Sequence, residues 1–346
     1  MTEHIFSAVD YRECKADYIA FRNANRETDR NEAYFEWRFL KKPGGSSPLV
    51  IWAESASGEK IGSLGFTQDV YMADGIPCVF GQLSDISIAG RWRGQGIAKK
   101  MLIFLSNLNE FKTKKASFAM PNKDASKALE KAGWITLSNI DRYVKILKTD
   151  SKIIKILGKN SLSTAVTKPL NLALKFSSYE AFHREQKPYS AAPVKKFDER
   201  FDTFWLKYEK KGAVLGLRTS EYLTWRYSMH PLVDYKIFAL FESERIMGYV
   251  VYFFDTNQCH VEDILAMQGG NYPRLLLSYF IKFIRENPDA EAVIVRVNEN
   301  TVCPLPLKQF GFFRRPDAQK FMIRMGTAEL LTDPQRWFLT SGDKDA

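Results

Sequence analysis

A chain of 346 residues, 45% hydrophobic and 14% aromatic, has material for more than one packed core, and its length leads us to expect two domains. Its 50 Lys and Arg against 40 Asp and Glu leave a net charge of +10, so an anionic partner is expected; charge alone does not choose between a nucleotide cofactor, a nucleotide-linked sugar, nucleic acid and anionic lipid. No apolar run is long enough to cross a bilayer, and the opening MTEHIFSAVDYRECK lacks the charged-then-apolar order of a secretory signal, which argues for a cytoplasmic protein. Cys14, Cys78, Cys259 and Cys303 lie far apart with no C-x-x-C pair and the four histidines are scattered, so neither a disulfide frame nor a metal site is expected.

In chain order, residues 4–9 suit a strand and 12–22 a helix, with Ala16, Ile19, Ala20 and Phe21 on helical spacing; a second helix is expected over 32–40. Strands follow at 49–53, 61–71 and 79–88, divided by turn-forming stretches at 55–59 and 73–77. The last strand, with apolar Leu83, Ile86 and Ile88, runs into Arg91-Trp92-Arg93-Gly94-Gln95-Gly96. Beyond it Ile97, Met101, Phe104, Leu105 and Leu108 take the spacing of an amphipathic helix. A strand at 116–120, a helix at 124–131 and strands at 134–137 and 143–147 complete the first half. The second half reads as strands at 235–241, 246–254 and 260–267, a helix at 272–285, a strand at 292–297, a short turn or helix, and a strand at 319–325.

The halves repeat. Tyr34-Phe35-Glu36-Trp37-Arg38-Phe39 matches Tyr222-Leu223-Thr224-Trp225-Arg226-Tyr227, an offset of 188 positions (37 to 225). Further on, Asp85-Ile86 matches Asp263-Ile264, Asn122 matches Asn300, Leu129 matches Leu307, and Gly133-Trp134 matches Gly311-Phe312, all at 178 positions (85 to 263). One register held across nearly fifty positions implies two copies of one fold. The expected layout is a first domain over 1–149, a linker over 150–193, a second domain over 194–328 and a polar tail over 329–346. At the start of the linker, lysines 145, 148, 152, 155 and 159 interleave with Ile146, Leu147, Ile153, Ile154, Ile156 and Leu157. That pattern fits either a peripheral membrane contact or a linker helix packed on the domains.

The stretch from Gln82 to Leu108 carries the chemistry. The first amides of a helix lack intrahelical acceptors and the helix dipole adds positive charge there. Gly94 and Gly96 let backbone approach a bulky phosphate, while Arg91 and Arg93 offer charge-assisted hydrogen bonds, so the expected ligand is a pyrophosphate. Arg91-x-x-Gly94-x-Gly96 after an apolar strand resembles the acyl-CoA signature of the GCN5-related N-acetyltransferases, [QR]-x-x-G-x-[GA]. The resemblance implies two tandem α/β domains of that fold, each a twisted mixed sheet flanked by helices. It also implies acetyl-CoA held by Arg91, Arg93, Gly94, Gln95, Gly96 and Ile97, with backbone of Ile86 and Ile88 meeting the thioester carbonyl.

In that family an Asn opening a later helix is followed seven residues on by a Tyr that protonates the leaving thiolate. Asn122 keeps the frame, as a pantetheine contact or a helix cap, but Leu129 stands where the Tyr is expected, so the general acid is unassigned; Tyr143 and Tyr71 are available. Asp85, on the strand that would meet the thioester, is the candidate base or a structural hydrogen-bonding residue, and Ser87 is a second polar handle there. Trp37-Arg38 and Trp225-Arg226 read as packing and ion-pair features. In the second copy Gln268-Gly269-Gly270-Asn271-Tyr272-Pro273 replaces the arginine loop, which leaves one CoA site per chain.

Two such domains with one intact loop resemble bacterial proteins associated with surface-polysaccharide production. The expected activity is an acetyl-CoA-dependent N-acyltransfer to a small amine, an amino sugar or sugar nucleotide, with no nucleic-acid partner favoured. The alternatives are a Fem-like transferase taking its acyl group from aminoacyl-tRNA, and a non-catalytic acyl-CoA-binding or membrane-surface scaffold.

Overall fold

The computed structural model describes residues 4–44, 48–176, 178–182, 187–299, 301–325 and 331–344. The first half contributes β1 (Ile5–Asp10), α1 (Tyr11–Ala24), α2 (Glu32–Phe39), β2 (Leu49–Glu54), β3 (Lys60–Ala73), β4 (Ile76–Ile88), α3 (Ile97–Asn107), α4 (Asn109–Lys112), β5 (Ala116–Ala119), α5 (Lys123–Lys131) and β6 (Ile135–Ile146). Then come α6 (Asp150–Leu157), α7 (Ser161–Phe176) and α8 (Tyr179–Phe182). The second half gives β7 (Tyr189–Val194), α9 (Glu199–Lys207), β8 (Val214–Gly216), α10 (Ser220–Leu223), β9 (Lys236–Glu242), β10 (Arg245–Asp255), β11 (Gln258–Ala266), α11 (Tyr272–Glu286), β12 (Ala292–Asn298) and β13 (Phe313–Met325). The repeated element order is therefore present as expected. Asn300, the counterpart of Asn122, lies outside the described residues.

The two lobes share one sheet. Its order is β1-β2-β3-β4-β5-β13-β6-β12-β11-β10-β9-β7, with β8 paired to β3. The last strand of each half has crossed to the other lobe's side: β13 pairs with β5, β6 pairs with β12, and the two lie antiparallel to one another at the seam. The expected pair of strands at 134–137 and 143–147 is one strand, β6. Polar Ser138, Asn139, Asp141 and Arg142 read as a break, but Asp141 meets Arg314 at 2.8 Å and Arg142 meets Asp317 at 3.1 Å across the pairing. Cross-strand charge pairs keep such residues in a strand.

The repeated tryptophans meet face to face. Trp37 Nε1 donates to the Trp225 carbonyl at 2.6 Å and Trp225 Nε1 donates to the Trp37 carbonyl at 2.8 Å, with the rings stacked at 5.3 Å. Both are buried, so each indole N–H finds the partner that burial demands of it.

Three expectations are corrected. The linker ends before residue 193, because Tyr189–Val194 is the edge strand of the second lobe, paired with β9; and Lys145 belongs to no solvated basic face. It is buried, with Nζ 2.8 Å from Ser178 Oγ and 3.2 Å from Glu180, while Lys148 donates to the carbonyl of Pro288 at 2.6 Å. Nor does the C-terminal segment trail off. Leu331, Trp337, Phe338, Leu339 and Thr340 are buried, and Trp337 packs against Tyr71, Phe80 and Phe321 between the lobes. Asn298 ties its backbone down, donating to the Trp337 carbonyl at 2.6 Å and accepting from the Leu339 amide at 2.8 Å. The polar ending SGDKDA hid this, because the apolar residues that fill the seam come just before it.

Trp337→Ala removes a fully buried side chain from the seam and should cost about 3–5 kcal/mol. The check is the unfolding midpoint in urea, which a loosely trailing segment would leave unmoved.

Candidate functional site

Parallel pairing between β4 and β5 lasts only for Gly81 with Ser117 and Gln82 with Phe118, after which the strands part. On β4's other side the register slips: Ser63 faces Ser87 but Gly65 faces Ser84, so Asp85 and Ile86 together oppose one residue of β3. Asp85, at this bulge, takes the left-handed conformation, with φ 49°. Bulge and parting together free the end of β4 along one edge. The carbonyls of Ile86 and Ile88 point to that open edge, where Arg26 Nη2 reaches the first at 3.0 Å and Arg93 Nε the second at 3.1 Å. Ala89, one residue on, still donates to Ile61 of β3 at 3.0 Å. Strand alternation then places the Ile88 amide on the same edge as its carbonyl.

The expected anion loop follows at once. After a 3₁₀ turn at Gly90–Trp92, Gly94 has φ 80° and Gly96, the N-cap of α3, has φ 77°; an added Cβ at either would meet nothing within 4 Å. The left-handed turns therefore need glycine while the space over the loop stays open. Lys100 is the first helix amide bonded back, to Gly96 at 3.1 Å, so the amides before it project from the helix end. Ile97 is not exposed at this end but packs into the core beneath it. Arg91 pairs with exposed Glu59, Gln95 donates to the Arg91 carbonyl at 3.2 Å, and Arg93 also reaches the Asn25 carbonyl at 3.2 Å. Both arginines lie over the loop on partners at the protein surface.

Where β4 and β5 part, a cleft of about 260 Å³ opens, lined on one wall by Leu83 to Ile86 and on the other by Ala119 to Asn122. The predicted site residues occupy distinct places in it. Asn122 caps α5, accepting from the Ala125 amide at 2.9 Å, and also lines the cleft. Leu129 is fully buried and forms part of the cleft's apolar floor. Neither reserve tyrosine lines it: the Tyr71 hydroxyl faces Asp343 at 3.5 Å, and burial raises the Tyr143 phenol well above its ordinary value, with Glu299 adding to the effect.

Asp85 is buried among arginines, with Arg38 at 2.6 Å, Arg22 at 3.6 Å and Arg26 at 3.9 Å. Burial alone would raise its carboxyl, but the attraction of the three guanidinium groups outweighs that and holds it below the ordinary carboxylate value. A carboxylate held this way keeps its charge at neutral pH and accepts protons poorly, which favours the structural reading of this residue. Ser87 is buried and accepts from Arg26 Nε at 3.0 Å. Sequence reasoning missed Arg22, Arg26 and Arg30, of which only Arg22 lies on α1 and the other two on the loop beyond it. It also missed Gln319 and Lys344, which reach the cleft from the second half of the chain; only the strand exchange reveals them.

The second lobe has its own parting of strands, since β11 and β12 pair only from Gln258 to Val261. Its cleft, about 550 Å³, is lined mainly by apolar residues, among them Leu265, Met267, Leu305 and Phe338, with the glycine turn Gly269-Gly270 at one end. Cys303 sits there under Tyr208 and Gln268 at 3.1 and 3.0 Å. Pro273, in the first turn of α11, withholds one amide from that helix end. Volume is greater here, but the open glycine loop backed by two arginines belongs to the first lobe.

Removing the Asp85 charge would leave three guanidinium groups facing one another. Asp85→Asn should therefore cost about 3–5 kcal/mol at pH 7, as breaking a buried pair does. The stabilisation from a carboxyl held low is complete above its unfolded value, near 3.8, and drains away as pH falls through the lower folded value. Acid-unfolding curves should accordingly lose part of their steepness below that pH in the variant.

No protein-family model matches this sequence, and neither does any curated protein sequence. Solved structures do match. A GCN5-related N-acetyltransferase from Anabaena variabilis superposes with a TM-score of 0.62 at 13% identity, over 93% of this chain and 73% of its own. A tandem GNAT protein from the clavulanic acid biosynthesis pathway gives 0.53 at 11% identity, over 94% and 100%. Saccharomyces cerevisiae N-myristoyltransferase, solved with bound myristoyl-CoA, gives 0.55 at 10% identity, over 93% and 80%. At these identities the likeness is one of fold: the chain carries two tandem acetyltransferase-like folds.

Proposed function

We propose that the first lobe transfers an acetyl group from acetyl-CoA to the amine of a small acceptor. The observation that carries the reading is the conjunction, in one lobe, of an open glycine loop at a helix N-terminus and a freed strand edge ending in a cleft. Amides at residues 94–97, with Arg91 and Arg93, would hold the pyrophosphate of the donor. The Ile88 amide would face the carbonyl that gains charge. In the reaction the amine nitrogen bonds to the thioester carbon, the carbon–sulfur bond breaks, the thiolate leaves, and the amine's proton passes to solvent or to the thiolate. Leu129 supplies no acid, and a thiolate leaves readily enough near neutral pH to make one dispensable. The acceptor suggested by the resemblance to surface-polysaccharide proteins is an amino sugar or sugar nucleotide, and the cleft of about 260 Å³ favours the smaller, the amino sugar. An aminoacyl-tRNA donor is less well matched, because it has no need of the arginine-glycine loop. A non-catalytic acyl-CoA-binding protein would use the same loop without releasing thiol.

Gly94→Glu places a carboxylate in the space the pyrophosphate would take. Calorimetric titration with CoA should show binding lost in Gly94→Glu and retained in Gly270→Glu, whose backbone is also left-handed. Equal losses would contradict a single site in the first lobe. Acetyl-CoA with a panel of amines should then release free thiol, and CoA binding without release would leave the non-catalytic reading in place.

A separate observation supports a peripheral membrane contact. Helix α7 buries polar Ser163 and Thr167 and exposes Leu162, Leu172 and Phe176, which with Ala165 and Pro169 fall on one helical stripe. Its inner face is polar because Asn171 accepts from the Thr149 amide at 2.8 Å and donates to Asp150 at 2.6 Å. Ile156 of α6 is also exposed, and exposed Lys155, Lys159, Lys168 and Lys175 accompany the apolar residues. Among the described residues no helix is long and apolar enough to cross a membrane, so the stripe suits a helix lying on an anionic surface. Cosedimentation with phosphatidylglycerol vesicles should be strong, weaker with phosphatidylcholine, and lost in Leu172→Glu/Phe176→Glu; equal cosedimentation of that variant would remove the stripe from the explanation.

A further inference from the structure

A guanidinium moved out of water loses hydration that only a paired anion replaces, so a buried excess of cations marks a place where an anion belongs. Such an excess lies beside the freed edge of β4. Among the described residues Asp85 is shared by Arg22, Arg26 and Arg38, and Arg22 and Arg38 are as buried as the carboxylate itself. Among the described residues Arg30 has no carboxylate within 4.0 Å, and its flat face rests on Tyr34 at 5.1 Å. The Nε atoms of Arg22 and Arg30 are both buried without a hydrogen-bond acceptor. Lys344 adds another cation to the cleft, so among the described residues its lining holds four cations and one carboxylate.

The repeat supplies an internal comparison. In the second lobe Asp263, the counterpart of Asp85, is met by Arg218 at 3.2 Å, by the Tyr249 hydroxyl at 2.8 Å and by Thr340 Oγ1 at 2.9 Å. Arg218 is shared with a second carboxylate, Asp343, at 3.0 Å. The equivalent of Arg38, Arg226, turns away to the Lys344 carbonyl at 2.7 Å. Among the described residues the C-terminal segment thus fills this position in the second lobe with Thr340 and Asp343, while to the first-lobe cleft it brings the cation Lys344.

We infer that the first-lobe cleft binds a carboxylate or phosphate carried by the acceptor amine, with Arg26 and Arg30 as the residues that select it. The inference deepens the acyl-transfer reading and rests on it for the identity of the ligand as the acceptor. Arg26 connects the two halves of the site: its Nε holds Ser87 at 3.0 Å and its Nη2 the Ile86 carbonyl at 3.0 Å, so it lines the anion cleft while gripping the freed strand edge. An acceptor seated by its anion beside Arg26 lies next to the edge that would present the thioester. Ionic pairing of this kind is charge-assisted and bidentate where geometry allows, which favours arginine over lysine.

The test uses the full chain saturated with CoA and three amines on one scaffold: glucosamine, glucosamine 6-phosphate and muramic acid, which carry no anion, a phosphate and a carboxylate. Calorimetry should show at least one anionic amine binding tenfold or more tighter than glucosamine, and comparison of the two tells phosphate from carboxylate. Arg30→Gln should erase that preference while leaving CoA affinity unchanged, Arg26→Gln should erase it as well, and Arg30→Lys should keep part of it. Glucosamine binding as tightly as both anionic amines, failure of both anionic amines to bind, or a preference that survives in the Arg26→Gln/Arg30→Gln double variant would overturn the inference. Thiol release from acetyl-CoA is read separately. Anion-dependent binding with no release from any amine would sink the acyl-transfer reading and leave the anion site standing.

Discussion

The antiparallel pairing of β6 with β13 is the constraint from which the rest of the structure follows. Each strand closes the last half of the other's lobe, so neither lobe completes its sheet without the other. Edge strands left by separating the halves would be long and unpaired, a state that folded proteins avoid. The reciprocal hydrogen bonds of Trp37 and Trp225 lie on the same approximate two-fold relation, and they lock the second pair of repeated elements, α2 and its counterpart around Trp225, across the lobes. Duplication thus gave more than two domains in series: it gave one sheet with two strand partings. A site in the first lobe can draw Gln319 and Lys344 from the far end of the chain because of this exchange.

The two partings have diverged by charge and by filling. Asp85 and Asp263 occupy matching positions, yet the first stands among several arginines beside an open cleft, and the second shares one arginine with Asp343 under a covering segment. Burial raises the Asp343 carboxyl and neighbouring Asp263 raises it further, against the pull of Arg218. Two carboxylates around one guanidinium need no external anion, whereas a cleft whose described lining holds four cations and one carboxylate would take one. The apolar lining of the second cleft follows the same logic: with the Asp end sealed by Thr340 and Asp343, the part left open is walled by Leu265, Met267, Leu305 and Phe338.

Much of this was legible in the residues, for identifiable reasons. Apolar runs located β2 to β4 and β9 to β12, several of which are buried on both faces, and helical period located α3. The repeat was visible through Trp37 and Trp225, whose large buried rings tolerate little change. The glycine loop could be read because its backbone conformation admits few other residues. Strand exchange could not be read, since hydrophobic pattern says which face of a strand is buried and nothing about which neighbour pairs with its edges. For the same reason β6 was divided in two: its central polar residues make sense only opposite Arg314 and Asp317. The edge strand Tyr189–Val194 reads as linker because its alternation is short and weak: Tyr189 and Ala191 pack on the core, but Ala192 and Pro193 interrupt the apolar–polar order. The arginines of the cleft escaped notice because Arg22, Arg26 and Arg30 span the end of one helix and the loop beyond it, where spacing carries little weight.

The absence of an acid at Leu129 and the surplus of arginines bear on one chemical requirement. An amine attacks a thioester only in its unprotonated form, and a nearby cation disfavours the protonated one. An acceptor drawn into the cleft by its anion would place its ammonium group close to Arg26 and Arg30, so binding itself would lower the pKa of that ammonium and raise the fraction ready to react. Asp85 cannot offset this, because its charge is already committed to the guanidinium groups around it. Electrostatic deprotonation of the acceptor and a thiolate that leaves unaided would together perform the proton transfers for which a dedicated base and acid are otherwise needed. The same arginines would then serve for recognition and for activation, which accounts for the retention of so much positive charge in a partly buried place.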